Sequence, residues 1–299
     1  MAVQIRFGHR ELEFPSSELG ELRSSYADES LSVLQARMQA DGYLLLRRLI
    51  DPAKVLAGRA AVLSYMEARG ALTPGTPVLE GVMPRRPKHV RLMGNTEITY
   101  QPEVLQVLES EELFAFFSRY FAAEPATFVY KWLRAVGNEQ YTGAHYDFVY
   151  MGRGSGNLHT VWIPFGDTPV EHGTLCLCEG SNHLPEFARV RDTYGRMDVD
   201  RDGVDGWFTR EPMDIVAQFG GRWLTTHYKA GDVILFGMHT MHASTTNLTK
   251  RYRLSCDVRF QPAHEPMDER WTQGGSGHRV FGAGAALRTM ADMRAAWGI

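Results

Sequence analysis

His145 and Asp147 stand two residues apart in the segment AHYDF, and His242 follows after 94 intervening residues. Two imidazoles and one carboxylate form the ligand set that holds non-haem Fe(II) on one side and leaves other coordination positions open. In an extended strand residues i and i+2 point to the same face, so His145 and Asp147 can reach one ion without strain. His242 then has to arrive on a separate strand, as in a folded barrel. An H-x-D pair is common by chance, so this reading depends on the elements that would position it.

The rest of the chain sets limits. Its 299 residues, 44% hydrophobic and 22% charged, are those of a globular protein with a substantial core, and we expect one domain over 1–299. Thirty-two basic residues against 35 acidic ones leave a net charge of -3. Nucleic-acid and acidic-membrane partners usually require a basic excess, so neither is expected. No run approaches the roughly 18 apolar residues of a membrane span, and MAVQIRFGHRELEF is too charged for a signal peptide. Cys176, Cys178 and Cys256 do not make a disulfide framework, which predicts a reducing, cytoplasmic setting. Composition leaves the oligomeric state open.

The first half reads as helices with loops. VQIRF suggests a leader strand or arm within 1–29. Ser30 caps a helix over 31–40 with Leu31, Leu34 and Met38 at helical spacing, Asp41-Gly42 breaks it, and YLLLRRLI reads as a buried strand. Asp51-Pro52 starts a helix expected to reach Arg69. Residues 70–101, with Pro74, Pro77, Pro84 and Pro87, read as loop with one possible strand at HVRLM. Arg85, Arg86, Lys88 and Arg91 make this a basic run, either a solvated loop or a flexible wall over a pocket. Pro102 opens a helix to Leu108, and Ser110 caps another through Phe121, striped by Leu113, Phe116, Phe117 and Phe121. We therefore assign 30–121 as a helical flank.

From Thr127 the pattern changes to short aromatic and β-branched segments. These are TFVYKWLRAV, YDFVYM, LHTVWIPF, GTLCLCEG, RWLTTHY, GDVILFG and RYRLSCDVRF. Turn residues bound each of them, which predicts an all-β core over 127–260 with flanking helices. Residues 184–222 are polar, glycine-bearing and aperiodic, and read as a long insertion loop with at most a short helix. Loops of that length usually serve a function. Residues 261–299 read as a polar, glycine-rich extension with a helix over 285–295.

Taken in order, DGYLLLRRL, His145-x-Asp147, the W-x-P at 162–164, HGTLCLCEGSNH, AGDVILF, and His242 through Arg253-x-Ser255 resemble the phytanoyl-CoA dioxygenase-like (PhyH) family of Fe(II)- and 2-oxoglutarate-dependent oxygenases. The resemblance covers roughly 41–260 and implies a double-stranded β-helix (jelly roll, cupin-like). It implies that His145, Asp147 and His242 bind iron, and that Arg253 pairs with the distal carboxylate of 2-oxoglutarate, the cosubstrate used with O2. A planar guanidinium suits a carboxylate, and Ser255 on the same strand face could add a hydrogen bond. Arg251 shares that face and is the rival anchor. Lys131 or Tyr130 could reach the cosubstrate, and Trp162 could wall its pocket or simply pack in the core. Halogenating members of the family lack the carboxylate, so Asp147 favours hydroxylation or a related oxidation of a small molecule. Two alternatives remain: a jelly-roll protein that binds metal without turnover, and a cupin-type enzyme that needs no 2-oxoglutarate. His172, Cys176, Cys178 and His183 imitate a zinc cluster but read as packing, and His183, His227 and His239 read as structural.

Overall fold

The computed structural model describes residues 2–281 and 287–299. Its centre is the ten-residue strand Arg253–Pro262, which pairs antiparallel with His159–Pro164 on one side and with Trp132–Val136 and Pro125–Thr127 on the other. The sheet continues through Val233–Gly237 and Tyr43–Leu46 to Ser24–Ser25. A smaller sheet runs His242–Ser244, Leu175–Cys178, Trp223–Thr225, Leu19–Glu21.

Because side chains alternate along a strand, the central strand serves two environments at once. Leu254, Cys256, Val258 and Phe260 face one way and join a core with the outer helices. Pro52–Ala68, Pro102–Leu108 and Glu111–Phe121 supply the other half of that core, with Phe117 stacked on Phe260 at 4.5 Å between ring centroids. The alternate positions, Arg253, Ser255, Asp257 and Arg259, belong to the opposite face. Between the sheets, Leu45, Trp162, Ile234 and Phe236 of the large one meet Leu175, Leu177 and Leu224 of the small one.

The helix starts follow local chemistry. Asp51 accepts from the Ala53 amide at 2.9 Å with Pro52 in the first helical position, and Ser110 accepts from Leu113 at 3.3 Å. Leu31–Asp41 ends at Gly42, whose φ of 79° is the left-handed conformation glycine adopts at little cost.

Several expectations are corrected. YDFVYM is not a strand: the chain turns at Asp147 into the short helix Phe148–Met151. HVRLM forms no strand, since Pro84 and Pro87 precede it and Gly94, with φ 63°, turns the chain after it. Residues 184–222 are not an open loop. They contain Ala188–Asp192, Val199–Asp202 and Met213–Phe219, and bury Phe187, Val190, Tyr194, Val199, Phe208 and Ile215. These pack with the N-terminal hairpin of Val3–Phe7 and Arg10–Phe14, where Phe7 meets Trp223 edge-on at 5.0 Å. The C-terminal helix is Met290–Trp297; residues 285 and 286 of the expected span lie outside the described residues. Among the described residues the two sheets are not hydrogen-bonded into a closed barrel, so the fold is mixed α/β with sheets of the double-stranded β-helix type.

Candidate metal centre

His242 opens the strand His242–Ser244, and His145 faces it across an isolated antiparallel bridge. Each backbone amide donates to the other's carbonyl at 3.0 Å, which sets the two imidazoles side by side with centroids 4.0 Å apart. Asp147 has helical dihedrals, φ -67° and ψ -23°, so a turn rather than a strand pleat brings its carboxylate round to them. Asp147 Oδ1 lies 3.7 Å from Nε2 of both histidines. Each gap is shorter than twice a metal–ligand bond of about 2.1 Å, so one ion can be shared.

The neighbours fit a metal. His145 Nδ1 donates to the Gly143 carbonyl at 2.9 Å, and His242 Nδ1 donates to that of Thr240 at 3.0 Å. A carbonyl can only accept, so each Nδ1 holds the proton and each Nε2 keeps its lone pair for a metal. Asp147 Oδ2 accepts from the Thr160 hydroxyl and from Arg259 Nη2 at 3.1 Å, leaving Oδ1 toward the histidines. Burial would raise the Asp147 pKa, but the Arg259 charge, the two imidazoles and the Thr160 bond outweigh it and hold the carboxyl well below its usual range. Burial, reinforced by His242, pushes His145 down to about 3, so it is a neutral donor at pH 7. Among the described residues these three form the one group of His, Cys, Asp or Glu able to hold an ion.

A small cavity of about 30 Å³ joins the three ligands to Arg253, Trp162, Arg134 and Asp257. Arg253 is 3% exposed. Its guanidinium bonds Ser255 Oγ and lies 5.6 Å from the Trp162 ring centroid, while its Nε has no partner among the described residues. Burial pushes its pKa down to about 10, partly offset by Asp257, whose own salt bridge goes to Arg134 at 3.2 Å. Arg251, by contrast, is exposed and pairs with Glu80 at 2.7 Å.

The other sequence-selected residues separate. Lys131 is buried but spends its ammonium on Glu109 and the Phe128 carbonyl, both at 2.7 Å, away from the ligands. Tyr130 and Arg91 line a larger cavity of about 790 Å³ that includes His145 and Asp147. Arg85 and Lys88 line a different cavity, and Arg86 lines neither of these two. Arg259 escaped the sequence reading. The available signal was its place on the same strand face as Arg253, six residues on. Trp132, Trp207 and Trp271 of the large cavity also escaped it, having no common periodicity.

Sheets of this type carrying a buried two-histidine, one-carboxylate site fit a non-haem iron oxygenase, and the family to which the chain belongs makes it one that uses 2-oxoglutarate. The chain belongs to the phytanoyl-CoA dioxygenase (PhyH) family, whose model matches residues 38–255. Its fold is similar to that of the non-heme alpha ketoglutarate dependent epimerase SnoN from nogalamycin biosynthesis, with 18% identity, TM-score 0.54, and coverage of 86% of this chain and 92% of that one. The carbocyclase SnoK from nogalamycin biosynthesis matches at 18% identity and TM-score 0.55, covering 82% and 90%. EctD from S. alaskensis matches at 14% and 0.57, covering 91% and 88%. No helix among the described residues is long and apolar enough to cross a membrane.

Proposed function

We propose that the chain hydroxylates an unactivated C–H bond of a small organic molecule, consuming O2 and 2-oxoglutarate and releasing succinate and CO2. One observation carries the cosubstrate assignment: a buried arginine without a carboxylate partner among the described residues opens onto the same small cavity as the metal ligands. A charge in that position is costly unless an anion meets it. Arg253 takes the distal carboxylate of 2-oxoglutarate, Ser255 braces the guanidinium, and Trp162 closes one wall. His145, Asp147 and His242 hold the iron, which supplies the oxidising power when bound. The protein's own work is to fix the carboxylate, keep Asp147 Oδ1 turned inward through Arg259 and Thr160, and exclude water. Arg91, Asp205 and Arg210 border the larger cavity.

The test is anaerobic. Fe(II) with 2-oxoglutarate should give the visible charge-transfer band of a chelated keto acid, and admitting O2 should release succinate. Iron binding without that band would leave a metal protein that makes no use of 2-oxoglutarate.

A further inference from the structure

The large cavity has a chemistry of its own. At about 790 Å³ it falls within the roughly 300–1,000 Å³ of small-molecule sites, and His145 and Asp147 form part of its wall. Its occupant would therefore meet the metal centre.

The wall is aromatic and fixed. Trp132 and Trp271, 6% and 3% exposed, meet at 4.9 Å between centroids, and Tyr130 packs on them at 4.7 and 5.1 Å. Gly94 makes room for this group: a Cβ there would stand 2.3 Å from the Tyr130 ring. Two buried donors adjoin this wall without opening onto it. Trp271 Nε1 and Arg259 Nη1 are buried with no hydrogen-bond partner among the described residues. Buried indole and guanidinium N–H groups normally find acceptors.

The cations divide into two kinds. Arg259 and Arg134 are committed to Asp147 and Asp257. Arg91 and Arg210, both exposed at the rim, have no salt bridge among the described residues. Among the described residues the Arg91 side chain bonds only the Met93 carbonyl, at 3.4 Å, and the Arg210 guanidinium lies 5.0 Å from the Trp207 ring centroid. The cavity's other carboxylate, Asp205, offsets one of these two charges.

We propose that this cavity takes a small aromatic acid: a planar ring system against Trp132, Trp271 and Tyr130, with a carboxylate or phosphate ester held by Arg91 and Arg210. The inference rests on the oxygenase reading only for what happens to the ring afterwards. A fused ring system fills a wall of indoles by face and edge contacts that a flexible chain cannot reproduce. The acidic group would neutralise the rim.

Isothermal titration calorimetry of the protein loaded with Fe(II) and saturating 2-oxoglutarate, without O2, tests this with four probes. These are 2-naphthoate, 2-naphthyl phosphate, 2-naphthamide and decanoate. At least one naphthyl acid should bind about tenfold more tightly than both the amide and decanoate, and the tighter of the two identifies the acidic group. The double variant R91Q/R210Q should bring that acid to within about twofold of the amide. Trp271→Leu should weaken the naphthyl probes and spare decanoate, with 2-oxoglutarate affinity in the same samples reporting an intact fold. Equal binding of acid and amide overturns the proposal, as does decanoate binding as tightly as the acids. An acid preference that survives R91Q/R210Q and falls in Arg253→Ala also overturns it, because the probe then sits in the cosubstrate site. If 2-oxoglutarate fails to bind, the oxygenase reading fails separately, and the same comparison with Fe(II) alone still decides the class of ligand.

Discussion

Arg253 and Arg259 lie on one face of one strand, 3% and 2% exposed, yet among the described residues only Arg259 has a carboxylate bonded to it. At the Arg259 end the partner is Asp147, so the guanidinium and a metal ligand neutralise and orient each other. At the Arg253 end the bonded neighbours are a hydroxyl and an aromatic face, and the nearby Asp257 is tied to Arg134. Burying a paired ion can be nearly neutral, whereas burying a lone one costs several kcal/mol. At the first end the arginine's charge is therefore met by a bonded carboxylate, and at the second it is not, among the described residues.

The sharpest way to break this comparison is to leave both ends unpaired. Asp147→Ala removes a ligand and the Arg259 counter-charge together. We expect metal binding to be lost and the metal-free protein to be destabilised by about 3–5 kcal/mol. In Asp147→Ala/Arg259→Met the stability should largely return while the metal affinity does not. Chemical denaturation beside metal titration reads both. A single Asp147→Ala protein as stable as the parent would mean that Arg259 draws its compensation elsewhere.

The converse change is Arg253→Met. With no bonded carboxylate to strand, the metal-free variant should be as stable as the parent or more so. Its half-saturation for 2-oxoglutarate should rise roughly ten- to a hundredfold, the scale of one lost hydrogen bond to a charged group at about 1.5–3 kcal/mol. Thermal melts with iron and increasing 2-oxoglutarate should show a stabilisation in the parent that the variant lacks. A variant that melts far below the parent without cosubstrate would show that Arg253 is already compensated inside the chain.

How much of this was legible depends on how far apart the cooperating residues are. Asp51-Pro52 and Ser110 announce their helices because cap and first turn are contiguous. His145, Asp147 and His242 are legible by type and order, and the family model covers all three. The conformation at Asp147 was not: period-2 reasoning asks for a strand, and the backbone turns into Phe148–Met151 instead. The buried face of 184–222 was hidden because its apolar residues are spread over very short helices, none long enough to show a period. Trp271 was hidden for a related reason, since its partners Trp132 and Tyr130 lie about 140 residues earlier and the polar run TQGGSGH follows it closely.

The smallest expected effect concerns the residue that the sequence could not separate from Arg253. Arg251 lies two positions earlier, so alternation alone puts both guanidiniums on one face. The regular strand begins only at Arg253, and Arg251 points to solvent, where its side chain is 54% exposed and meets Glu80. What its position does for the fold is done by the backbone: the Arg251 carbonyl accepts from Asn247 Nδ2 at 2.8 Å and from His172 Nε2 at 3.0 Å. Alanine keeps that carbonyl. Exposed ion pairs contribute at most about 1 kcal/mol, so Arg251→Ala should shift stability by no more than that, and by less in high salt. Its half-saturation for 2-oxoglutarate should stay within about twofold of the parent. Cosubstrate dependence that collapses in Arg251→Ala and persists in Arg253→Met would move the anchor two residues along the chain, and the contrast between the two strand ends would lose its functional meaning.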